Sequence, residues 1–477
     1  MVSRATLLAV GTLAALGLLA GCLGSTTDDL EAGSTVKPAV DVGPDNPMSF
    51  VESRVTPAVH FGHGLYEPTI DVSGSGVIYV SAHTTGVGTT GAPAFYSTDD
   101  GQSWQQLPFA GPATMPEPGH GGTPPPSDEI FIVAGDDGQA WGVDILLATF
   151  PVNGWCGDGA EHCYHNPDAY DEARAQTSRA DAITGADEAC SPLNLNDRPW
   201  AAYANDTLLM VNNPGGGPVQ VAAMDVPPAN YVETWNPVQG PTWNLCAGEG
   251  GGSIPGIPDL HDDGFFAVPQ TQDGDLVVVT GNADDVMDVE QRSVFENSHE
   301  PVSAIGNYGQ VVFDEQDTMF ASAMNNSAAE PQASAGGIHL ATSTDRAQTF
   351  TENTIRFDRP VSSVYIDGNE NGPGAVINWG LVEEESGPTD WYLGHLRMAE
   401  DGTPVIENAT LAVEDGPPAS RHVQGAAVGP DGRAYMVMSD VEGNDDVEMA
   451  QNAGSTPLTV VVQEEGSALP VTDAADG

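Results

Sequence analysis

Three arginines recur in one local setting. Asp197-Arg198-Pro199-Trp200, Asp358-Arg359-Pro360 and Ser420-Arg421-His422 each place a cation just ahead of an apolar run, and Tyr66-Glu67-Pro68 holds the corresponding position nearer the start of the chain. A guanidinium is a planar fork of donors that matches a carboxylate or phosphate bidentately, so arginines gathered at one centre would make an anion site. Tyr66 with Glu67, or Tyr308, could supply a nucleophile and its partner, but no separate acid/base carboxylate stands out among 68 acidic residues. The simpler account of the same residues carries more weight. An Arg beside an Asp and before a Pro is a fixed turn with a local ion pair.

Metal chemistry has thinner material. His60, His63 and His83, with Glu67 near them in sequence, read as polar positions leading into the first hairpin rather than as imidazole ligands. Cys156, His162, Cys163 and His165 follow no standard zinc spacing. The acidic pairs Asp284-Asp285 and Asp445-Asp446 could hold a structural calcium ion, yet neither sits in the spaced ligand loop of an EF-hand. No phosphate-binding glycine loop, nucleophile elbow or zinc-protease helix motif occurs. The sequence therefore predicts no metal site and no cofactor, a structural calcium ion apart.

The compartment is written at the N-terminus. Arg4 precedes an apolar run from Ala5 to Ala20, which ends in Leu19-Ala20-Gly21-Cys22. Small residues and a Cys close the run where a spanning helix would carry a second charged flank, so residues 1–21 read as a signal peptide ending in a lipobox. Cys22 would become the lipidated first residue, anchoring the protein to the extracytoplasmic face of the cell membrane. No Arg-Arg pair precedes the run, which favours the general export route. An even set of four further cysteines, Cys156, Cys163, Cys190 and Cys246, fits disulfides in an exported chain. Three pairings are open; Cys156 with Cys163 and Cys190 with Cys246 is preferred because the first closes a short loop.

Net charge is −55, from 68 acidic and 13 basic residues, with Lys37 the one lysine. Such a surface repels nucleic acid, which needs a positive footprint. Self-repulsion of this size destabilises a compact state at low ionic strength. In molar salt the screening length falls to about 3 Å and the repulsion largely disappears. The composition resembles that of haloarchaeal proteins. Disorder is a poor alternative, since apolar residues form 40% of the chain and recur in short punctuated runs.

Those runs are the elements that must position any site. Residues 22–50 form a polar, Pro- and Gly-containing tether. From 51 to 440 one unit repeats: apolar strand, tight Asp/Asn/Gly turn, apolar strand. Pro68 to Val72, a Ser/Gly turn and Gly76 to Val80 form the clearest copy. Others pair Ile130 to Val133 with Ala140 to Val143, Trp200 to Tyr203 with Leu208 to Val211, and Phe265 to Val268 with Leu276 to Val279. The last three pair Val311 to Phe313 with Met319 to Ala321, Val364 to Ile366 with Ala375 to Ile377, and Ala426 to Val428 with Ala434 to Val437. The turns lie roughly 40 to 70 residues apart, the scale of propeller blades. A lone hairpin cannot bury its own face, and a ring of them leaves few long edges. The expected fold is all-β, a six- or seven-bladed β-propeller, with a heavily inserted β-sandwich as the rival. Residues 123–127 and 151–196 read as loops on the ring. Residues 441–477 read as an acidic tail in which Pro457 to Val462 could form a closing strand.

Two octapeptides carry a family resemblance. Residues 97–104 read S-T-D-D-G-Q-S-W and residues 343–350 read S-T-D-R-A-Q-T-F. They resemble the Asp-box, or BNR repeat, S-x-D-x-G-x-[ST]-[WF], of sialidase-like propellers; the second has Ala347 where the repeat has Gly. The match covers about sixteen residues directly. In that family the box is a fold element on an outer hairpin, so Ser97, Asp99, Gly101, Trp104, Ser343, Asp345 and Phe350 are expected to be structural, not catalytic. The family also grips a substrate carboxylate with three guanidinium groups, which would give Arg198, Arg359 and Arg421 a use. Its Phe/Tyr-Arg-Ile-Pro motif is missing, however, and Arg54-Val55-Thr56-Pro57 is only a loose echo. The resulting expectation is a monomeric, non-enzymatic surface module that binds a cell-surface glycan or protein. The alternatives are a sialidase-like exo-glycoside hydrolase and a structural envelope component. Cys22→Ala is expected to move the protein from the membrane to the soluble fraction on cell fractionation; continued membrane retention would refute the anchor.

Overall fold

In the computed structural model, the described residues are 48–55, 65–84, 94–106, 130–135, 140–144, 149–151, 197–213, 219–225, 242–244, 254–272, 275–295, 309–324, 336–383, 388–417, 425–439, 458–466 and 468–471. All belong to one compact unit, residues 37–477. Among them the regular elements are strands, gathered in seven antiparallel sheets, and we call each sheet a blade in chain order. The inner strands are Leu65–Val72, Ile130–Ala134, Asp197–Ala204, the short pair Ile254–Pro255 and Asp259–Leu260, Gln310–Phe313, Val361–Gly368 and Ala426–Val428. Each packs beside the inner strand of the next blade, and the seventh returns to the first. The chain is therefore a seven-bladed β-propeller.

Most blades follow a simple up-and-down order, because successive strands need only tight turns. Blade 7 is different. Its third strand, Leu458–Gly466, lies between Ala434–Ser439 and Met48–Val55, so the last blade contains strands from both ends of the ring. The strand expected around Pro457 to Val462 is thus present and paired on both sides. The Ser439 hydroxyl adds a bond across the closing seam to the Leu65 carbonyl.

Six of the seven anticipated hairpins are the inner pairs of their blades. The exception is Phe265 to Val268 with Leu276 to Val279, which form the second and third strands of blade 4. Its inner position is taken by Ile254–Pro255 and Asp259–Leu260, which are too short and too interrupted by Gly256 and Pro258 to show an apolar run. Gly256 is there for space. A Cβ at that position would lie 2.1 Å from the Gly309 carbonyl oxygen of blade 5.

The core lies in the seams between blades. Val312, Phe320, Leu340, Val364, Ile377 and Trp379 fill the seam of blades 5 and 6; Val72, Val80, Phe95, Val437 and Val460 fill that of blades 7 and 1. Full burial of one such side chain is worth about 1.5–3 kcal/mol, so each blade is held mainly by its neighbours. Removing residues 458–477 deletes the strand that joins the two chain ends. The expected result is loss of the cooperative thermal transition and rapid proteolysis in molar salt; a native-like melt of the truncated chain would refute this ring closure.

Candidate functional site

The inner strand of every blade presents one edge to the axis, where its N–H groups have no further strand to pair with. Side chains of the preceding blade meet several of them. Asp71 in blade 1 accepts from the Ala134 amide of blade 2 at 2.7 Å, Asp259 in blade 4 from Phe313 of blade 5 at 2.5 Å, and Asp367 in blade 6 from Val428 of blade 7 at 2.7 Å. Gln310 does the same with its Oε1, accepting from the Ile366 amide at 2.9 Å. The second oxygens of Asp71 and Asp259 take the amides of Val72 and Leu260.

These four residues line one axial cavity of about 250 Å³, walled by the inner strands of all seven blades. The cavity reaches the end of the ring where inner strands turn back, past Gly74, Gly135, Asp262, Glu370, Asn371 and Pro430. Among the described residues, no arginine or lysine lines it. Desolvation by burial dominates the acids. It lifts Asp71 to about 7 and Asp259 to about 6 against the bonds from Ala134 and Phe313, and it drives Asp367 well above the carboxylate range. Repulsion adds to this, because Asp367 feels Asp71 and Asp259, and Asp71 feels Asp259; His261 acts on Asp259 in the opposite sense.

None of the three was singled out from the sequence, although Ile70-Asp71-Val72, Asp259-Leu260 and Ile366-Asp367 each set one acid among apolar neighbours. That contrast was the available signal. In a chain with 68 acidic residues it is masked by the solvated majority.

Arg359, singled out from the sequence, lies at the other end of its strand from Asp367. Arg359 precedes the inner strand of blade 6, eight positions before Asp367, or roughly 26 Å along an extended strand. Its Nη1 donates to Asp390 at 2.7 Å and its Nη2 to the Tyr392 hydroxyl at 3.2 Å. Burial works to raise the Asp390 carboxyl, but the Arg359 guanidinium overrides it and holds Asp390 below its ordinary range. Tyr392 stacks on Trp379 at 5.4 Å between ring centres, which fixes the cluster. Arg359 is thus a locally paired cation outside the cavity walls. Glu67 sits near the start of the blade 1 inner strand with φ +48°, four positions before Asp71. Tyr66, His83 and Arg198 have their backbone in strands, while their side chains lie outside the described residues. Cys22, His60, His63, Cys156, Cys163, Cys190, Cys246, Tyr308, Arg421 and Asp445-Asp446 also lie outside them.

The two resembling octapeptides occupy equivalent turns between the third and fourth strands of blades 1 and 5. In one, the Ser97 hydroxyl donates to Asp99 at 2.8 Å and accepts from the Gly101 amide at 2.9 Å, while Asp99 accepts from both the amide and the hydroxyl of Ser103. Ser343, Asp345, Ala347 and Thr349 repeat every one of these bonds. The hydrogen bonds from Ser103 and from Thr349 hold Asp99 and Asp345 below the ordinary carboxylate range. Gly101 has φ +78°, and Ala347 adopts φ +64° in its place, a left-handed conformation that disfavours a side chain. Trp104 donates from Nε1 to Ser53 at 3.1 Å and Phe350 packs on the blade 4–5 core. In their own turn the Asp284 amide donates to the Asn282 Oδ1 and the Asp285 carboxylate accepts from the Met287 amide. Among the described residues, no group of three or more His, Cys, Asp or Glu side chains converges closely enough to hold a metal directly.

No protein-family profile and no curated protein matches this chain. Solved structures do resemble it. A protein of unknown function from Dyadobacter fermentans is 14% identical, with 88% of this chain and 99% of that one covered and a TM-score of 0.44. An α-L-arabinanase from Penicillium chrysogenum is 11% identical over 88% and 99%, TM-score 0.44. A leech intramolecular trans-sialidase is 11% identical over 82% and 66%, TM-score 0.40. At these identities the likeness bears on the fold alone.

The axial acids make a pH prediction. A carboxyl whose pKa is raised by folding holds its proton more tightly in the folded state, so its stabilisation is fully present below the unfolded value and is lost progressively as pH rises from there through the folded one. The thermal midpoint is expected to fall as pH rises from about 4 to about 7 at constant salt and to level off above that. Asp71→Asn keeps an acceptor for Ala134, removes one titration and should flatten the fall; an unchanged slope in this variant would refute the assignment.

Proposed function

We propose that this protein is a lipid-anchored, extracytoplasmic propeller that acts as a recognition module at the cell surface, rather than as a carboxylate-gripping glycosidase. Arg359 carries the reading. Of the three arginines that could form an anion clamp, it is the one with a described side chain, and Asp390 and Tyr392 already hold it. A guanidinium spent on an internal carboxylate must break that bond before it can take a substrate. Among the described residues the axis offers no replacement, since its charged lining groups are acids. Such a surface suits neutral, hydroxyl-rich or cationic ligands, with a glycan or a protein of the envelope as partner, and a rigid ring carrying variable loops suits the task. The Asp-box resemblance supports a scaffold role for the two octapeptides. The lipobox supports membrane attachment at Cys22, and the net charge of −55 supports operation in molar salt.

The test is a glycan array and a panel of chromogenic glycosides, both run in molar salt. Retention of neutral or basic ligands without turnover is expected, with Arg359→Ala changing stability more than ligand retention. Hydrolysis of a sialoside that Arg198→Ala or Arg421→Ala abolishes would overturn the reading in favour of a sialidase-like hydrolase. An array without any retained ligand, together with no captured envelope partner, would leave a structural component as the answer.

A further inference from the structure

We propose that the axial cavity is a cation site, holding one hydrated alkali ion between the carboxylates of Asp71, Asp259 and Asp367. The site is independent of the recognition reading above, and either can fail alone.

Three carboxylates from blades 1, 4 and 6 share the cavity. The other ionisable groups in its walls are Asp262 and Glu370 near the turn end, with Tyr203 and Tyr365, and His261 acts on Asp259 from beside it. Among the described lining residues the charged groups are acids, from blades 1, 4 and 6, and no guanidinium or ammonium group offsets them. Once these acids ionise, at a pH above their raised pKa values, a mobile cation balances them.

A second observation specifies the form of that cation. Gln310 is 2% exposed, and its Nε2 donor has no partner while its Oε1 is fixed to Ile366, itself part of the cavity wall. An unsatisfied buried donor needs an acceptor oxygen. A water of the ion's hydration shell meets both demands: its oxygen accepts from Gln310 and its hydrogens point to the carboxylates. A bare ion would meet only one.

The carboxylates also argue against a divalent ion. Calcium takes six to eight oxygens directly, and magnesium needs a near-ideal octahedron. Here Asp71 and Asp259 each have both oxygens engaged by backbone amides, and among the described residues no three acidic side chains converge closely enough to ligate one ion directly. A cavity of 250 Å³ has the volume of about eight waters at their liquid density, enough for a small ion with its first shell.

The experiment uses the full chain in detergent at pH 8. Thermal melts in sodium or potassium chloride are compared with melts in N-methyl-D-glucamine chloride of equal concentration, an organic cation large enough to leave the cavity no room for a hydration shell. The wild type is expected to melt several degrees higher in the alkali salts, and the gap should shrink by at least half in Asp71→Asn/Asp367→Asn, whose amides keep the acceptors for Ala134 and Val428. Crystals soaked in rubidium chloride should show an anomalous peak inside the ring. Equal melts in both salts, or an alkali gap that persists undiminished in the double variant, would overturn the site. If that variant does not fold, the rubidium map decides alone, and a map with no axial peak refutes the proposal.

Discussion

Seven strand edges converge on one axis, and their inward-facing amides must be bonded where no further strand can reach. Buried backbone donors left unpaired cost about as much as a lost hydrogen bond each. The chain meets part of this demand with side chains from the preceding blade, Asp71, Asp259, Gln310 and Asp367, each binding an amide across a seam. The same bonds fix the stagger of adjacent blades. Gly368 shows how tight that stagger is, since a Cβ there would meet the Phe313 carbonyl oxygen at 1.8 Å. Satisfying backbone with carboxylates has its own cost, because three acids are then taken out of water and held within reach of one another's field.

The rim uses a second set of links. In blade 1, Asp100 of the Ser97–Trp104 turn meets Arg433 of blade 7 at 2.8 Å; in blade 5, the equivalent Arg346 meets Asp263 of blade 4. The two contacts are the same joint with the charges exchanged. Arg346 also lies over the Phe265 ring at 5.0 Å, and Arg433 over Tyr435 at 5.7 Å, so packing persists where salt screens the charge. For a chain of charge −55, short hydrogen bonds and buried apolar seams must carry stability under conditions that silence long-range attraction.

Chemistry is divided between the two ends of the ring. Arg359, Asp390 and Tyr392 form a closed, locally neutral group where the blade 6 inner strand begins, whereas the acids gather where inner strands end. A strand separates the two because residues at its opposite ends are held apart by its rise, whatever their spacing in sequence suggests.

The sequence by itself determined the strand-turn-strand unit, its recurrence and hence the ring, because apolar alternation and turn residues are local properties. It also determined the outer turns: the bonds of Ser97, Asp99 and Ser103 run within seven residues, so their pattern is legible as a string. It located the setting of Arg359 as a turn with a local ion pair, though not the partner, since Asp390 lies 31 positions away while Asp358 is adjacent. Only the tertiary structure decided the blade count, the displacement of Phe265–Gln272 to second place in blade 4, and the meeting of Asp71, Asp259 and Asp367. These depend on which strand edge faces the axis, and an edge is defined by its neighbours in space. An acid inside a strand reads like any of the other acids until folding removes the water from around it.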